Sequence, residues 1–301
     1  MRKGEWPLVI FTLLVQMAIG LFLLLSIFRS FMPASTVTNI FDNLFPIGYW
    51  IILLLLIIGV FAGTFHLGRP INARLAMANM KKSWLSREMF LGLFFGLFTL
   101  ALSLISWLEI HSTLMWNLLL IMGSIVAIAL LYAISRIYML RTVPTWNTIV
   151  IPLSLCSSAF LLGSILFCTI ITFLLPSLHL TSDLSQEIEG LLHWIEFGSL
   201  GLMFIQVLLS YMMLKGFQSQ IHLIDAGIKS TWVKYRLIFM LRLGLGSIGI
   251  ALYINFMDQF MGSFHSESSL GYLLFVSFLL IFLSEVSGRI LFYTSYKRFG
   301  I

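Results

Sequence analysis

Cysteine is scarce: Cys156 and Cys168 are the only two in 301 residues. They fall twelve positions apart within one predicted helix, about 18 Å along its axis at a rise of about 1.5 Å per residue, too far for a disulfide. Two thiolates also fall short of the four that an iron–sulfur cluster takes, so both read as small buried apolar residues. Charge is equally sparse, at 10% of the chain against 59% apolar residues, and mean hydropathy is +1.01. That balance excludes a soluble domain of this length. Period-two alternation is missing too, which excludes a membrane β-barrel. Helices remain, because they alone otherwise satisfy every backbone group in lipid. Neither an internal repeat nor a low-complexity tract interrupts the sequence, so residues 1–301 read as a single membrane domain without a nucleic-acid partner.

What the sequence does have is long apolar windows, near 7–29, 47–67, 89–108, 115–138, 149–175, 190–214, 237–260 and 270–293. Each suffices to cross about 30 Å of hydrocarbon as helix, so the expected fold is an all-α, polytopic bundle of eight transmembrane helices. An even number of crossings returns both termini to one face. Of the 18 Lys and Arg residues, fifteen fall on that face, Arg29 alone on the other, and Arg242 and Arg289 inside spans. The asymmetry predicts a multi-pass protein of the inner membrane with both termini, and the 68–88, 139–148 and 215–236 loops, in the cytoplasm. We call this the basic face. The opposite, acidic face carries Asp42, Asp183, Glu187, Glu189 and Glu267. All eight tryptophans fall near predicted helix ends, as headgroup anchors do. The first window follows Arg2 and Lys3 and lacks a small-residue cleavage site, so it reads as a retained helix.

The histidines do not suit a haem. Only His66 and His193 lie within or at the ends of spans, and they belong to opposite faces, so no pair brackets one iron. His111, His179 and His265 fall in three separate loops without zinc-ligand spacing. The protein is expected to carry no haem, iron–sulfur cluster or metal of its own. Gly59 and Gly63, and Gly92 and Gly96, are small-xxx-small pairs that predict close helix approach. Gly244, Gly246 and Gly249 could mark a broken helix of the transporter kind.

Charges inside the membrane need partners or a watery cavity, which singles out Glu196, Arg242, Asp258, Glu285 and Arg289. Glu285 and Arg289 have the acid-first, four-residue spacing of a helical ion pair. Arg242 could share Glu285 or reach a headgroup, and Glu196 stands alone. At the basic face, helix ends gather His66 and Arg69, Arg87 and Glu88, Arg136 and Tyr138, and Trp146 with Asn147. Such a set suits two-electron oxidation of a quinol, which must lose two protons. The His66 imidazole, ordinarily titrating near pH 6.5, accepts one. Arg69 favours the developing quinolate oxygen, Glu88 passes the proton to water, and Arg136 and Tyr138 hydrogen-bond the ring. The competing readings are a secondary transporter built on Arg242, Glu285 and the glycine-rich seventh span, and a purely structural anchor. The basic 68–88 loop, with a short surface helix over 75–80, suits anionic lipid or an acidic partner.

Several stretches together resemble the membrane anchor subunit of the anaerobic dimethyl sulfoxide reductase family. They are Glu5-Trp6-Pro7-Leu8 with Gln16, then His66-Leu67-Gly68-Arg69-Pro70, Ser83-Trp84-Leu85-Ser86-Arg87-Glu88, Arg136-Ile137-Tyr138 with Thr142-Val143-Pro144-Thr145-Trp146, and Glu285 with Gly288-Arg289 and Phe292-Tyr293. The resemblance implies a haem-free anchor that oxidises menaquinol and holds two partners, an iron–sulfur electron-transfer subunit and a molybdopterin catalytic subunit that reduces a sulfoxide or N-oxide. The family's quinol-site histidine matches His66 and its acidic residue matches Glu88. Catalytic subunits of the family often carry a twin-arginine export signal, which implies an outer docking face, whereas the charge asymmetry puts the basic face inside.

Overall fold

The computed structural model describes residues 6–31, 37–65, 79–110, 112–143, 146–174, 182–221, 229–262 and 268–294. Among them are eight helices: α1 (Trp6–Phe31), α2 (Val37–Thr64), α3 (Trp84–Trp107), α4 (Thr113–Tyr138), α5 (Val150–Leu174), α6 (Ser182–Ile221), α7 (Lys229–Gly262) and α8 (Ser268–Thr294). Each contains a stretch long and apolar enough to cross a membrane, as the hydropathy windows require. The boundary that differs most is the start of α3, where the span opens at Trp84 rather than near 89. Local bonds explain the difference. The Ser83 hydroxyl accepts from the Ser86 N–H at 3.3 Å, capping the helix. Arg87 folds back to donate to the carbonyls of Met80 (2.9 Å) and Lys81 (2.8 Å) and lies 4.2 Å from the Trp84 ring centre. Two charges that end an apolar window thereby sit inside the first turns of a helix, and Glu88 is carried into the bundle.

α1 and α5 form the centre: 72% of the apolar window is buried in each, against 22% in α3 and α7. They cross at Gly20 and Gly163, where a methyl on either residue would strike the other helix's backbone. Lipid is as apolar as leucine, so close packing and polar contacts, not exclusion from water, hold such helices together. Around this crossing the helices divide into two sets. In the first, α1 packs on α2, α2 on α3 and α3 on α4; in the second, α5 packs on α6 and α8, and α7 on α8.

The glycine pairs divide the same way. Gly59 and Gly63 lie against Leu14, Val15 and Phe11 of α1, as their spacing predicts. Gly92 and Gly96 meet no described atom within 4 Å, because α3 turns Phe95, Thr99 and Leu102 inward instead. The glycines of α7 do not break it, as the helix runs unbroken through Gly244, Gly246 and Gly249. Gly246 and Gly249 face Ser284 and Ile281 of α8, close enough for Ser277 to donate to the Gly249 carbonyl at 2.7 Å and Ser284 to that of Arg242 at 2.8 Å. A discontinuous seventh helix, the sequence feature that favoured a transporter, is therefore absent among the described residues. Cys156 and Cys168 both lie on α5 as free thiols.

Candidate functional site at the basic-face helix ends

α4 ends at Tyr138 and α8 at Thr294, and their last turns meet. The Tyr138 and Tyr293 hydroxyls are 2.6 Å apart. Trp146 stacks on Phe292 at 4.6 Å between centroids and donates its indole N–H to the Phe292 carbonyl at 3.2 Å. Tyr138 sets its edge against both Phe292 (5.2 Å) and Trp146 (5.7 Å). Trp146 and Phe292 thus flank one phenol pair in a group of four aromatic residues, each ring contact contributing about 0.5–1.5 kcal/mol beyond burial. Glu88 of α3, only 7% exposed, lies within electrostatic reach of both phenols. The Thr12 hydroxyl of α1 lies beside Tyr293.

Of the residues singled out in the sequence, Glu88, Tyr138 and Trp146 are brought to this cluster. Arg136 is on the same helix end, its guanidinium 5.4 Å from the Trp84 ring centre and its Nη1 4.0 Å from the Met139 sulfur. Its buried Nε has no protein partner among the described residues. His66 and Arg69 lie outside the described residues, as do the segment 68–78 and the histidines at 111, 179, 222 and 265. Helix α2 ends at Thr64, immediately before them. Glu88, expected to pass a proton to water, is buried where α3 begins.

Deeper in the bundle the expected pairing of Glu285 with Arg289 gives way to another. Glu285 Oε1 accepts from Arg242 of α7 at 2.9 Å, and its Oε2 accepts from the Ser158 hydroxyl of α5 at 2.6 Å. The Glu285 and Arg242 side chains are 5% and 6% exposed. The Arg242 guanidinium lies across Gly288, where any Cβ would collide with it. Arg289 instead donates to the Gln16 side-chain oxygen of α1. The physical reason is geometric: helix spacing can pair two residues on one helix, but both oxygens of Glu285 are occupied by side chains from α7 and α5. Gln206 of α6 completes the group, accepting from Arg242 at 3.0 Å and donating to Ser158 at 2.8 Å. Glu196, solitary by its place in the sequence, has His193 Nδ1 at 3.3 Å, and Asp258 is exposed near the acidic end of α7. No group of three or more His, Cys, Asp or Glu side chains is placed to hold a metal among the described residues.

Sequence reasoning undervalued Tyr293, Thr12, Gln16, Ser158 and Gln206. Their common signal is a polar side chain within an otherwise apolar span, which demands a partner in lipid.

Eight membrane-spanning helices around buried polar clusters define a multi-pass membrane protein, and comparisons with known proteins make it the anchor of an oxidoreductase complex. The sequence matches the DMSO reductase anchor subunit (DmsC) family over residues 1–294, and the protein belongs to that family. It is 28% identical over 306 aligned positions to the corresponding polypeptide of anaerobic dimethyl sulfoxide reductase from Haemophilus influenzae, covering 99% of this protein and 96% of that one. Its counterpart in the Escherichia coli anaerobic dimethyl sulfoxide reductase is 30% identical over 166 positions, 54% of this protein and 56% of that one. One subunit of the sulfite dehydrogenase of Allochromatium vinosum is 32% identical over 142 positions, 44% of this protein and 41% of that one.

Proposed function

We propose that this anchor oxidises menaquinol at its basic-face helix ends. Two electrons pass to an iron–sulfur subunit docked on that face and then to a molybdopterin catalytic subunit that reduces a sulfoxide or N-oxide in anaerobic respiration. The observation that carries the reading is the buried Glu88 carboxylate beside the Tyr138–Tyr293 phenol pair, at the end of the bundle where α4 and α8 finish. In this reading the anchor supplies proton acceptors and a shaped, apolar seat, while haem, clusters and molybdenum are left to its partners. His66 takes the first proton, Arg69 stabilises the oxygen that loses it, and Glu88 receives it. Arg136, whose Nε has no partner among the described residues, and Tyr138 hydrogen-bond the ring. The basic face, by its fifteen-to-one share of Lys and Arg, is cytoplasmic in the inner membrane.

The direct test is menaquinol oxidation by the assembled complex carrying His66→Ala. General-base catalysis typically contributes about 10²–10⁴-fold, so the rate falls at least about a hundredfold while the three subunits still co-purify. A wild-type rate in that variant removes the central role from this end of the bundle.

A further inference from the structure

Glu88 is the one buried acid among the described residues that receives neither a hydrogen bond nor an ion pair from them. The other two are answered, Glu196 by His193 and Glu285 by Arg242 and Ser158. A carboxyl group enclosed in a membrane bundle calls for a partner, and here the described chain supplies none.

Deeper along α3, Gly92 and Gly96 follow Glu88 at four-residue steps. The three therefore lie about one turn apart on one side of the helix, with Gly96 about 12 Å further from the basic face than Glu88. A Cβ at either glycine would meet no atom within 4 Å, yet both glycines are half-buried. They stand on the border between the inward-facing Phe95 and Thr99 and the lipid-facing Leu93 and Leu97, which makes them the floor of a recess. Gly190, Gly198, Gly201 and Gly244 also meet nothing within 4 Å, but each of those is exposed. Side chains on a helix lean back towards its N-terminus, so the space that residue 92 leaves unfilled adjoins the turn carrying Glu88. The recess leads from lipid to the unanswered carboxyl group.

We infer that this recess seats the isoprenoid tail of the quinol, and that Gly92 and Gly96 set a preference for quinols that carry one. The inference rests on the quinol reading above and adds a second subsite to it. Continuity with Glu88 selects the occupant. A phospholipid chain would fill the recess but keeps its polar group at the membrane surface, leaving the buried carboxyl group unanswered. A quinol joins hydroxyl donors on its ring to a long apolar tail, so one molecule supplies both a partner for Glu88 and a filling for the recess. Helix packing does not account for the two glycines, since no described element touches them. Glycine is the poorest helix former after proline, and at these positions no contact offsets that cost. What it provides is room beside the backbone, which any larger side chain would take up.

The test compares two donors in the complete complex, menaquinol and the tailless menadiol, with the sulfoxide or N-oxide that the complex reduces as acceptor. Gly96→Leu is expected to lower the menaquinol-to-menadiol ratio of kcat/KM at least fivefold, chiefly through KM for menaquinol. Nothing near residue 96 opposes a side chain and leucine favours the helix, so the variant is expected to assemble; if it does not, Gly92→Leu decides by the same criterion. Gly201→Leu, which adds the same bulk to an exposed glycine of α6, is expected to leave the ratio within twofold of wild type. A fall of less than fivefold in Gly96→Leu, including an equal slowing of both donors, overturns the tail seat and leaves the quinol reading standing, as does an equal fall in Gly201→Leu. Failure of the wild type to oxidise either donor overturns the quinol reading and the seat with it.

Discussion

The two halves of the bundle are both apolar enough to span lipid, yet they are held together by different means. In α1–α4 the interior is built mainly on aromatic contacts, although Thr12, Gln16, Glu88, Thr99 and Ser103 are buried there too. Phe22 meets Phe95 at 5.2 Å, Phe45 stacks near Tyr49 at 6.0 Å, and Arg29 caps Trp116 at 4.1 Å. In α5–α8 the interior is threaded by serines, Gln206, Arg242, Glu285 and Arg289. Dispersion between rings falls off gradually as groups are trimmed, whereas a buried ion pair fails abruptly when one partner is removed. The first half therefore tolerates trimming of its side chains better than the second. The candidate quinol end lies where they meet: Tyr138 comes from the first half and Tyr293 from the second.

Breaking the polar half is expected to have the largest effect on stability. Arg242→Ala leaves Glu285 charged, buried and unpaired, a loss of about 3–5 kcal/mol, seen as reduced assembled complex in the membrane. Replacing both by well-packed apolar residues, as in Arg242→Met with Glu285→Leu, is expected to restore assembly, since buried pairs are often no more stabilising than hydrophobic replacements. A double variant as unstable as Arg242→Ala would mean that Gln206 and Ser158, not the charge pair, carry the packing. At the meeting of the halves, Tyr293→Phe deletes one member of a 2.6 Å hydroxyl pair. The expected loss is about 1 kcal/mol, measured as a small drop in thermal stability together with slower menaquinol oxidation. Tyr49→Phe supplies the smallest effect and the sharpest contrast. Its buried hydroxyl has no partner among the described residues, so stability should change by less than about 0.5 kcal/mol. A large loss there would show that the aromatic half also depends on a hidden polar bond.

The eight spans were legible because lipid leaves the backbone one solution, and the basic-face gathering of Glu88, Arg136 and Tyr138 followed from counting crossings. Partner choice was legible only in part, in the option that Arg242 shares Glu285. Glu285 and Arg289 had ideal spacing on one helix, but a four-residue rule knows nothing of α5 and α7, whose Ser158 and Arg242 occupy both carboxylate oxygens. The start of α3 was hidden because Arg87 and Glu88 end an apolar window, although backbone carbonyls and Trp84 accommodate Arg87 locally. Gly92 and Gly96 had the spacing for close packing on a face that meets no described atom, since periodicity identifies a stripe and not its neighbour. Gln16 and Gln206 looked inert in the sequence for the opposite reason: each takes its meaning from an arginine on a distant helix.

The central claim, a quinol seat where α3, α4 and α8 end at the basic face, is tested most directly by photolabelling the complex in its membrane with a light-activated menaquinone analogue and mapping the adducts. The account predicts label within 84–88, 138–146 and 292–293, displaced by excess menaquinol. Label confined to the acidic-face helix ends, or found only on the iron–sulfur partner, would contradict it.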